Sequence, residues 1–504
     1  MNRSRLLIAT VVLIAAASVV PIGAGPSGQP AGGSAAAQAP AKKPNFVFVL
    51  TDDLSRNLVP YMKHVEAMKK HGTSFSRYFV TDSLCCPSRS SIFTGRYPHS
   101  TGVITNGGTD GGFDVFHRSE EKDTFATTLQ AQHYDTAMMG KYLNGYKPRK
   151  VVDGQPKFVP PGWSAWSVAG NGYPNFNYNL LQKTVGGQPH VQHYGGADRD
   201  YLTDVISERG RGFIRASVTR GNPFMLELAT FAPHGPYTPA PRDANKFPNA
   251  KAPRGPLFNR RQAKPRPQWL SQRKLSKPER AAIDGHFRKR AQAVQAVDKM
   301  IGDIQAELKR LRVADNTYIV FSSDNGYHMG QRRMGEGKQT AWDHDIRVPM
   351  VVVGPKVPAN RTVDRVVANV DLRPTFQDLA GAPTNPRVEG RSLAGFLRGD
   401  RVRNWRSVTL IEHRGPNMAP SDPDKATRRQ GNPPSYKALR FRDALWVQYD
   451  NPRYRSEYYN LKKDPYERHN LVRELSAKRR GALRARVAAL HRCSDQTSCH
   501  AADR

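Results

Sequence analysis

Four apolar, β-branched runs constrain this chain more than any other feature: Asn45–Thr51, Asp135–Met139, Phe224–Thr230 and Thr317–Phe321. Continuous rather than alternating hydrophobicity is what a strand needs when both faces of its sheet are covered. Helical patterns lie between the runs, at Thr124–Gln132 and Tyr201–Ala216. A third opens on a Ser276/Glu279 capping box and carries Ile283, Phe287, Val294, Val297, Ile301, Ile304, Leu308 and Leu311 on one face. Strands alternating with helices predict an α/β fold with a large, mostly parallel sheet sandwiched by helices. Ligands of such sheets bind outside the carboxyl ends of the strands. The residues just past the runs are Asp52 and Asp53, Lys141, His234, and Asp324 and Asn325. Taken singly, each has a bland explanation as a helix cap, a surface lysine or a structural histidine. Their shared position makes them candidates, and two adjacent aspartates after a buried strand suit a hard divalent cation.

Another strand begins within Asp345–Val353, and Asp371–Leu379 reads as a helix. Past about residue 400 the pattern changes to short strands at Val408–Glu412, Tyr436–Arg440, Leu445–Tyr449 and Tyr458–Leu461, then a helix over Ser476–His491. This predicts a catalytic α/β domain over 44–400 and a smaller C-terminal domain, 401–504, of antiparallel sheet plus helix. Phe158–Asn179, rich in aromatics, Pro and Gly, reads as a long surface loop that shapes the substrate pocket. Cys493 and Cys499 enclose a short loop and pair as a disulfide if the chain is exported. Export is expected: Arg3 and Arg5 precede an apolar run, Leu6–Val20, too short to be a stable membrane span. Residues 1–39 are then signal peptide and low-complexity leader, with Ala24 or Ala37-Gln38-Ala39 ending the signal, and the protein is secreted or extracytoplasmic. The net charge of +34 favours an anionic partner. With no zinc-finger spacing and no RNP-like aromatic run, nucleic acid is not expected. The basic stretch Arg254–Arg290 is a solvated face first and a polyanion contact second.

Leu84-Cys85-Cys86-Pro87-Ser88-Arg89 precedes Thr94-Gly95-Arg96. Pro87 suits a first helical turn and Gly95 a helix end, so a short helix over Ser88–Phe93 turns its positive N-terminus toward Cys85 and Arg89. That is an anion site. Adjacent cysteines do not bridge each other without strain. Cys-x-Pro-Ser-Arg followed by Thr-Gly-Arg resembles the signature of the type I, formylglycine-dependent sulfatases, whose folds are alkaline-phosphatase-like. The resemblance runs from Asp52-Asp53 to Tyr458-Tyr459-Asn460-Leu461, Asp464-Pro465 and Asn470-Leu471. It is closest to the N-acetylglucosamine-6-sulfatases and extracellular heparan endosulfatases through Gly140–Asn144, Pro160–Trp163, Tyr201–Asp204, Ser323–His328 and the Cys493–Cys499 tail.

The resemblance implies that a formylglycine-generating enzyme converts Cys85 to formylglycine. It also implies that residue 85, Asp52, Asp53, Asp324 and Asn325 bind Ca2+, and that Arg89, Lys141, His234 and Lys338 surround the sulfate group. His234 or Lys338 would protonate the leaving alcohol. The family's usual histidine two residues past Lys141 is replaced here by Leu143, which leaves His328 as the candidate base for the elimination step. The expected activity is hydrolysis of sulfate esters of a sulfated carbohydrate, with N-acetylglucosamine 6-sulfate in glycosaminoglycans as the expected group. An arylsulfatase or a phosphonate or phosphodiester hydrolase is the alternative on the same scaffold. A non-catalytic polyanion-binding protein is the alternative of another class.

Overall fold

The computed structural model describes residues 42–416 and 422–504, and Lys43–Arg504 form one compact unit. The signal and leader expected over 1–39 lie outside the described residues.

Ten strands form the main sheet: β1 (Asn45–Thr51), β2 (Thr73–Phe75), β3 (Asp135–Lys141), β4 (Ala165–Ala169), β5 (Tyr178–Lys183), β6 (His190–Tyr194), β7 (Phe224–Ala229), β8 (Thr317–Ser323), β9 (Met350–Val353) and β10 (Arg361–Val363). Their order is β10-β2-β9-β8-β1-β7-β3-β4-β5-β6. The inner five, from β8 to β4, run parallel. β9 and β5, which flank them, are antiparallel. The apolar runs are explained by their cover. Phe46, Phe48 and Leu50 of β1 face one apolar cluster, where Phe46 and Phe48 pack on Phe376. Val47 and Val49 face another that contains Val297, Ile301 and Ile304.

Five helices cover the sheets or carry residues of the site: α1 (Cys85–Thr94), α2 (Leu202–Arg220), α3 (Lys277–Arg310), α4 (Leu372–Ala380) and α5 (Ala477–Arg492). The capping box of α3 forms, with Ser276 N–H donating to Glu279 at 2.7 Å and Glu279 N–H to Ser276 Oγ at 3.3 Å. Its predicted face, from Ile283 to Leu308, is buried against the sheet. Past residue 400, β11 (Val408–His413), β12 (Tyr436–Phe441), β13 (Ala444–Tyr449) and β14 (Glu457–Asn460) form the expected antiparallel sheet. Leu483, Val487 and Leu490 of α5 pack on Val408, Leu410, Leu439 and Trp446 of that sheet. Cys493 and Cys499 are bonded.

The loop expected over Phe158–Asn179 is partly a strand. Ala165–Ala169 is β4, fully buried and parallel to β3. Its small residues offer no apolar run to recognise, and burial there rests on Trp166, whose indole N–H donates to the Tyr146 hydroxyl at 2.9 Å. The remainder does shape a cavity: Gly170, Asn171 and Tyr173 line a space of about 780 Å³ together with Lys141.

Candidate active site

Parallel pairing puts every strand-end residue on one edge of the sheet. Thr51 of β1 lies level with Ser323 of β8, so Asp52 and Asp53 emerge beside Asp324 and Asn325. Lys141 closes β3, and the chain leaving β7 reaches His234 five residues on. Asp53 adopts φ +64°, a left-handed conformation that costs a non-glycine residue about 1 kcal/mol. Two hydrogen bonds hold it there: its N–H donates to Asp324 Oδ1 at 3.1 Å, and its carbonyl accepts from Arg290 at 2.6 Å. Backbone held in a sparsely populated region this way is characteristic of functional sites.

Cys85 is the first residue of α1 rather than the residue before it, and Gly95 ends the helix at φ +68°. The helix points its N-terminus into the carboxylate cluster. Cys85 Sγ lies 3.3 Å from Asp52 Oδ1 and 3.0 Å from Lys338 Nζ. Cys86 faces away: its thiol accepts from Asn144 N–H at 3.1 Å, and burial pushes it up to about 12. It is a packing residue.

The predicted sulfate ligands are brought together with the predicted metal ligands. Arg89 Nε donates to Asp324 Oδ2 at 2.9 Å, Lys141 Nζ to Asp52 Oδ2 at 2.5 Å, and Lys338 Nζ to Asp53 Oδ1 at 2.6 Å. None of these residues is more than 7 % exposed, so each charge depends on its partner. Burial alone would discharge both lysines, but Asp52 beside Lys141, and Asp424 and Asp53 beside Lys338, hold them well above their usual range. His234 is pushed up to about 8: burial opposes its charge, and Asp53, Asp52 and Asp424 outweigh it. The Cys85 thiol is held protonated by burial first and then by Asp424 and Asp52, against Lys141 and Lys338. It is a poor thiolate nucleophile as it stands.

Donor atoms of Asp52, Asp53, Cys85 and Asp324 lie within 4.8 Å of one another. Asn325 Nδ2 donates to Asp53 Oδ1 at 2.6 Å, while Asn325 Oδ1 is buried without a hydrogen-bond partner among the described residues. Three carboxylates and an orphaned amide oxygen fit a hard divalent cation, and an oxygen at position 85 would complete an all-oxygen set.

Asp424, absent from the residues that the sequence pointed to, reaches the centre from the C-terminal region. Its carboxylate accepts from His234 Nε2 at 2.9 Å and Asn106 Nδ2 at 2.7 Å, lies 2.8 Å from Lys338 Nζ, and is 3.4 Å from Cys85 Sγ. It sits in the polar run Ser421-Asp422-Pro423-Asp424, where no strand end marks it. His328 does not reach the nucleophile. It is fully buried, its Nδ1 bound to Asp345 at 3.0 Å and its Nε2 to the Gln430 carbonyl at 2.7 Å. Both ring nitrogens are committed, so it is not the base that Leu143 leaves missing.

The sulfatase family profile matches residues 44–382, and that of the N-sulphoglucosamine sulphohydrolase C-terminal region matches 336–491. The chain is 32% identical over 483 residues to the human N-acetylglucosamine-6-sulfatase, covering 90% of this chain and 86% of that protein. It is 33% identical over 390 residues to a Drosophila melanogaster extracellular sulfatase SULF-1 homolog, covering 74% of this chain and 33% of that one. Among solved structures, a protein in complex with its substrate D-glucosamine-2-N,6-O-disulfate superposes with a TM-score of 0.70. That match is at 22% identity and covers 89% of this chain and 97% of the other.

Proposed function

This chain belongs to the sulfatase family, and from that premise we propose that it is an exported, calcium-dependent sulfatase. Its substrates are sulfated sugars, with the 6-sulfate of N-acetylglucosamine as the favoured ester, and its nucleophile is formylglycine made from Cys85. The observation that carries this reading is the position of Cys85. It opens a helix whose positive end meets Asp52, Asp53 and Asp324, and its Sγ lies 3.0 Å from the Lys338 ammonium.

Asp52, Asp53, Asp324, Asn325 and residue 85 would hold the cation, which supplies Lewis-acid polarisation of the sulfate oxygens. A formylglycine hydrate at position 85 would supply one hydroxyl to bond sulfur as the S–O bond to the sugar alcohol breaks, and a second whose collapse would expel sulfate and restore the aldehyde. Arg89 donates from Nε to Asp324 and from a terminal nitrogen to the Lys141 carbonyl at 2.9 Å. Its other terminal nitrogen is buried without a partner among the described residues. That fixed guanidinium orients Asp324 and keeps a donor for an anion. Lys338 is placed to hold a proton at the side-chain atom of residue 85. His234 Nε2 is held by Asp424 at 2.9 Å and its Nδ1 by the Gly235 carbonyl at 2.9 Å, so His234, by releasing one of these contacts, or Lys338 would supply the proton to the departing alcohol. Lys141 lies 5.0 Å from the Tyr173 ring at the cavity wall and supplies positive charge where negative charge grows on the sulfuryl oxygens.

The test uses protein exported by its own cell, or co-produced with a formylglycine-generating enzyme. Mass analysis of residue 85 is paired with ion-chromatographic assay of N-acetylglucosamine 6-sulfate, an aryl sulfate, a phosphodiester and a phosphonate monoester. Calcium-dependent sulfate release from the sugar, requiring the aldehyde, is expected. Preferential cleavage of phosphorus esters by matured protein would replace the sulfatase reading with the phosphohydrolase one. Heparin binding with Cys85 unmodified in every molecule would leave the non-catalytic reading.

A further inference from the structure

Two adjoining cavities lie at the C-terminal region, of about 710 and 650 Å³, and share Gln268, Arg455 and Arg473. Arg266 and Arg428 line the first; Arg453, Arg480 and Arg484 line the second. Together they make one groove walled by arginine. Its one carboxylate, Asp450, is taken by Lys437 at 2.8 Å. Among the described residues none of the seven arginines forms an ion pair. Arg428 donates to the backbone carbonyls of Trp269 and Gln268 at 3.1 and 3.3 Å, and Arg480 to that of Leu475.

An excess of cations is expected in a chain with 77 Lys and Arg against 43 Asp and Glu. Convergence is not. Like charges 4 Å apart in water repel by about 1 kcal/mol, so an excess with no task spreads over the surface. Elsewhere in the basic stretch, Arg254 pairs with Asp284 at 2.5 Å and Arg273 with Glu279 at 2.6 Å. The groove is also tied to the active centre. Arg428 follows Asp424 by four residues, so at 3.8 Å per residue its Cα is at most about 15 Å from that of Asp424, whose carboxylate touches Cys85.

We propose that this groove is an exosite for a sulfated polysaccharide, holding sulfate groups of the same chain whose ester stands at residue 85. Guanidinium forks match the paired oxygens of a sulfate as they match carboxylate and phosphate. A polymer laid along them releases its condensed counterions. The inference rests on the sulfated-sugar reading for its substrate and adds that the enzyme acts on chains and grips them away from the reacting sugar.

The experiment compares wild-type protein with R455Q/R473Q/R484Q and the charge-keeping R455K/R473K/R484K. These positions are exposed and touch no catalytic group. Binding to immobilised heparin is measured from low to high salt, together with KM and kcat on a sulfated oligosaccharide and on N-acetylglucosamine 6-sulfate. The Gln variant is expected to lose about three from the slope of log K against log salt, one per cation removed. Its KM on the oligosaccharide rises ten-fold or more, its kinetics on the monosaccharide stay unchanged, and the Lys variant keeps most of the slope. An unchanged slope, or equal loss on both substrates, overturns the exosite. If wild-type protein hydrolyses neither substrate, the proposed function fails, while the heparin slope still decides the groove.

Discussion

Removing the cation should be visible in stability before it is visible in turnover. At about 2.1 cal/mol/K per residue, the Lys43–Arg504 unit unfolds with an entropy near 1 kcal/mol/K. A ligand at a hundred times its Kd stabilises by about 2.7 kcal/mol, so saturating calcium should raise Tm by roughly 3 °C over the same protein in EGTA. D53N removes one ionised ligand. A ten-fold loss of affinity at the same calcium leaves about 1.4 kcal/mol, which halves the shift. The calcium-induced shift is the proper readout, since Asp53 also carries the 2.6 Å contacts of Lys338 and Asn325, and D53N lowers the ion-free Tm for that reason alone. D400N, an exposed change, is the control and should shift like wild type. Differential scanning calorimetry with and without calcium decides it. Equal Tm in calcium and EGTA, or an undiminished shift in D53N, would refute the assignment of this cluster as the cation site.

C85S should accept a sulfuryl group from substrate yet fail to release it, lacking the second hydroxyl, so intact mass should show a stable sulfated protein and one turnover at most. Cys493 and Cys499 are six residues apart, and closing so short a loop is worth roughly 2 kcal/mol on the chain-entropy account; C493S/C499S should lose a few degrees of Tm with activity retained. Glu227 is fully buried in β7 with both carboxylate oxygens unpartnered, and burial, opposed only by Arg89, pushes it up to about 8. The folded state therefore holds a proton that the unfolded state releases near its ordinary value, so this group's contribution to stability is fully present below that value and is lost as pH rises toward 8, by roughly 5 kcal/mol in the limit. E227Q should flatten that fall in Tm between about pH 5 and 8, and a parallel fall in both proteins would count against it.

What could be read in the sequence was whatever a strand end marks. Asp52, Asp53, Lys141, His234, Asp324 and Asn325 each follow an apolar run that must be buried, and parallel pairing aligns those ends whatever the loops do. Lys338 has no such marker. It follows the two-residue antiparallel pairing of His328–Met329 with Glu336–Gly337, a feature without hydrophobic pattern, and only the family resemblance named it. Asp424 had neither aid. β4 was hidden for a different reason: Ala165, Ser167 and Ala169 are buried because they are small enough to fit under their neighbours, and small size carries no hydrophobic signal. The arginine groove joins the 260s, 420s, 450s, 470s and 480s, and only the packing of the C-terminal sheet brings those segments together.

Every proposed sulfate-binding cation is paired with a carboxylate: Arg89 with Asp324, Lys141 with Asp52, Lys338 with Asp53 and Asp424, and His234 with Asp424. Buried charges require this, since an uncompensated one costs several kcal/mol. It also predicts that a cation on the carboxylates and an anion on the cations would assist each other's binding. Once the carboxylate oxygens of Asp52 and Asp53 are committed to a cation, the Lys141 ammonium loses its carboxylate partner and Lys338 keeps only Asp424, so both gain from a nearby anion. Calcium should therefore tighten binding of inorganic sulfate, and linkage requires sulfate to tighten calcium by the same factor. A coupling of about 1–3 kcal/mol, typical of such linkage, is roughly a five- to 150-fold change in either affinity. Calorimetric titration of each ligand in the absence and presence of the other measures both arms. K338A removes the cation shared by Asp53 and Asp424 and should reduce the coupling while leaving calcium binding alone largely intact. Independent binding of the two ligands in wild-type protein would show that these lysines stay with their aspartates and that the sulfate is held by other groups.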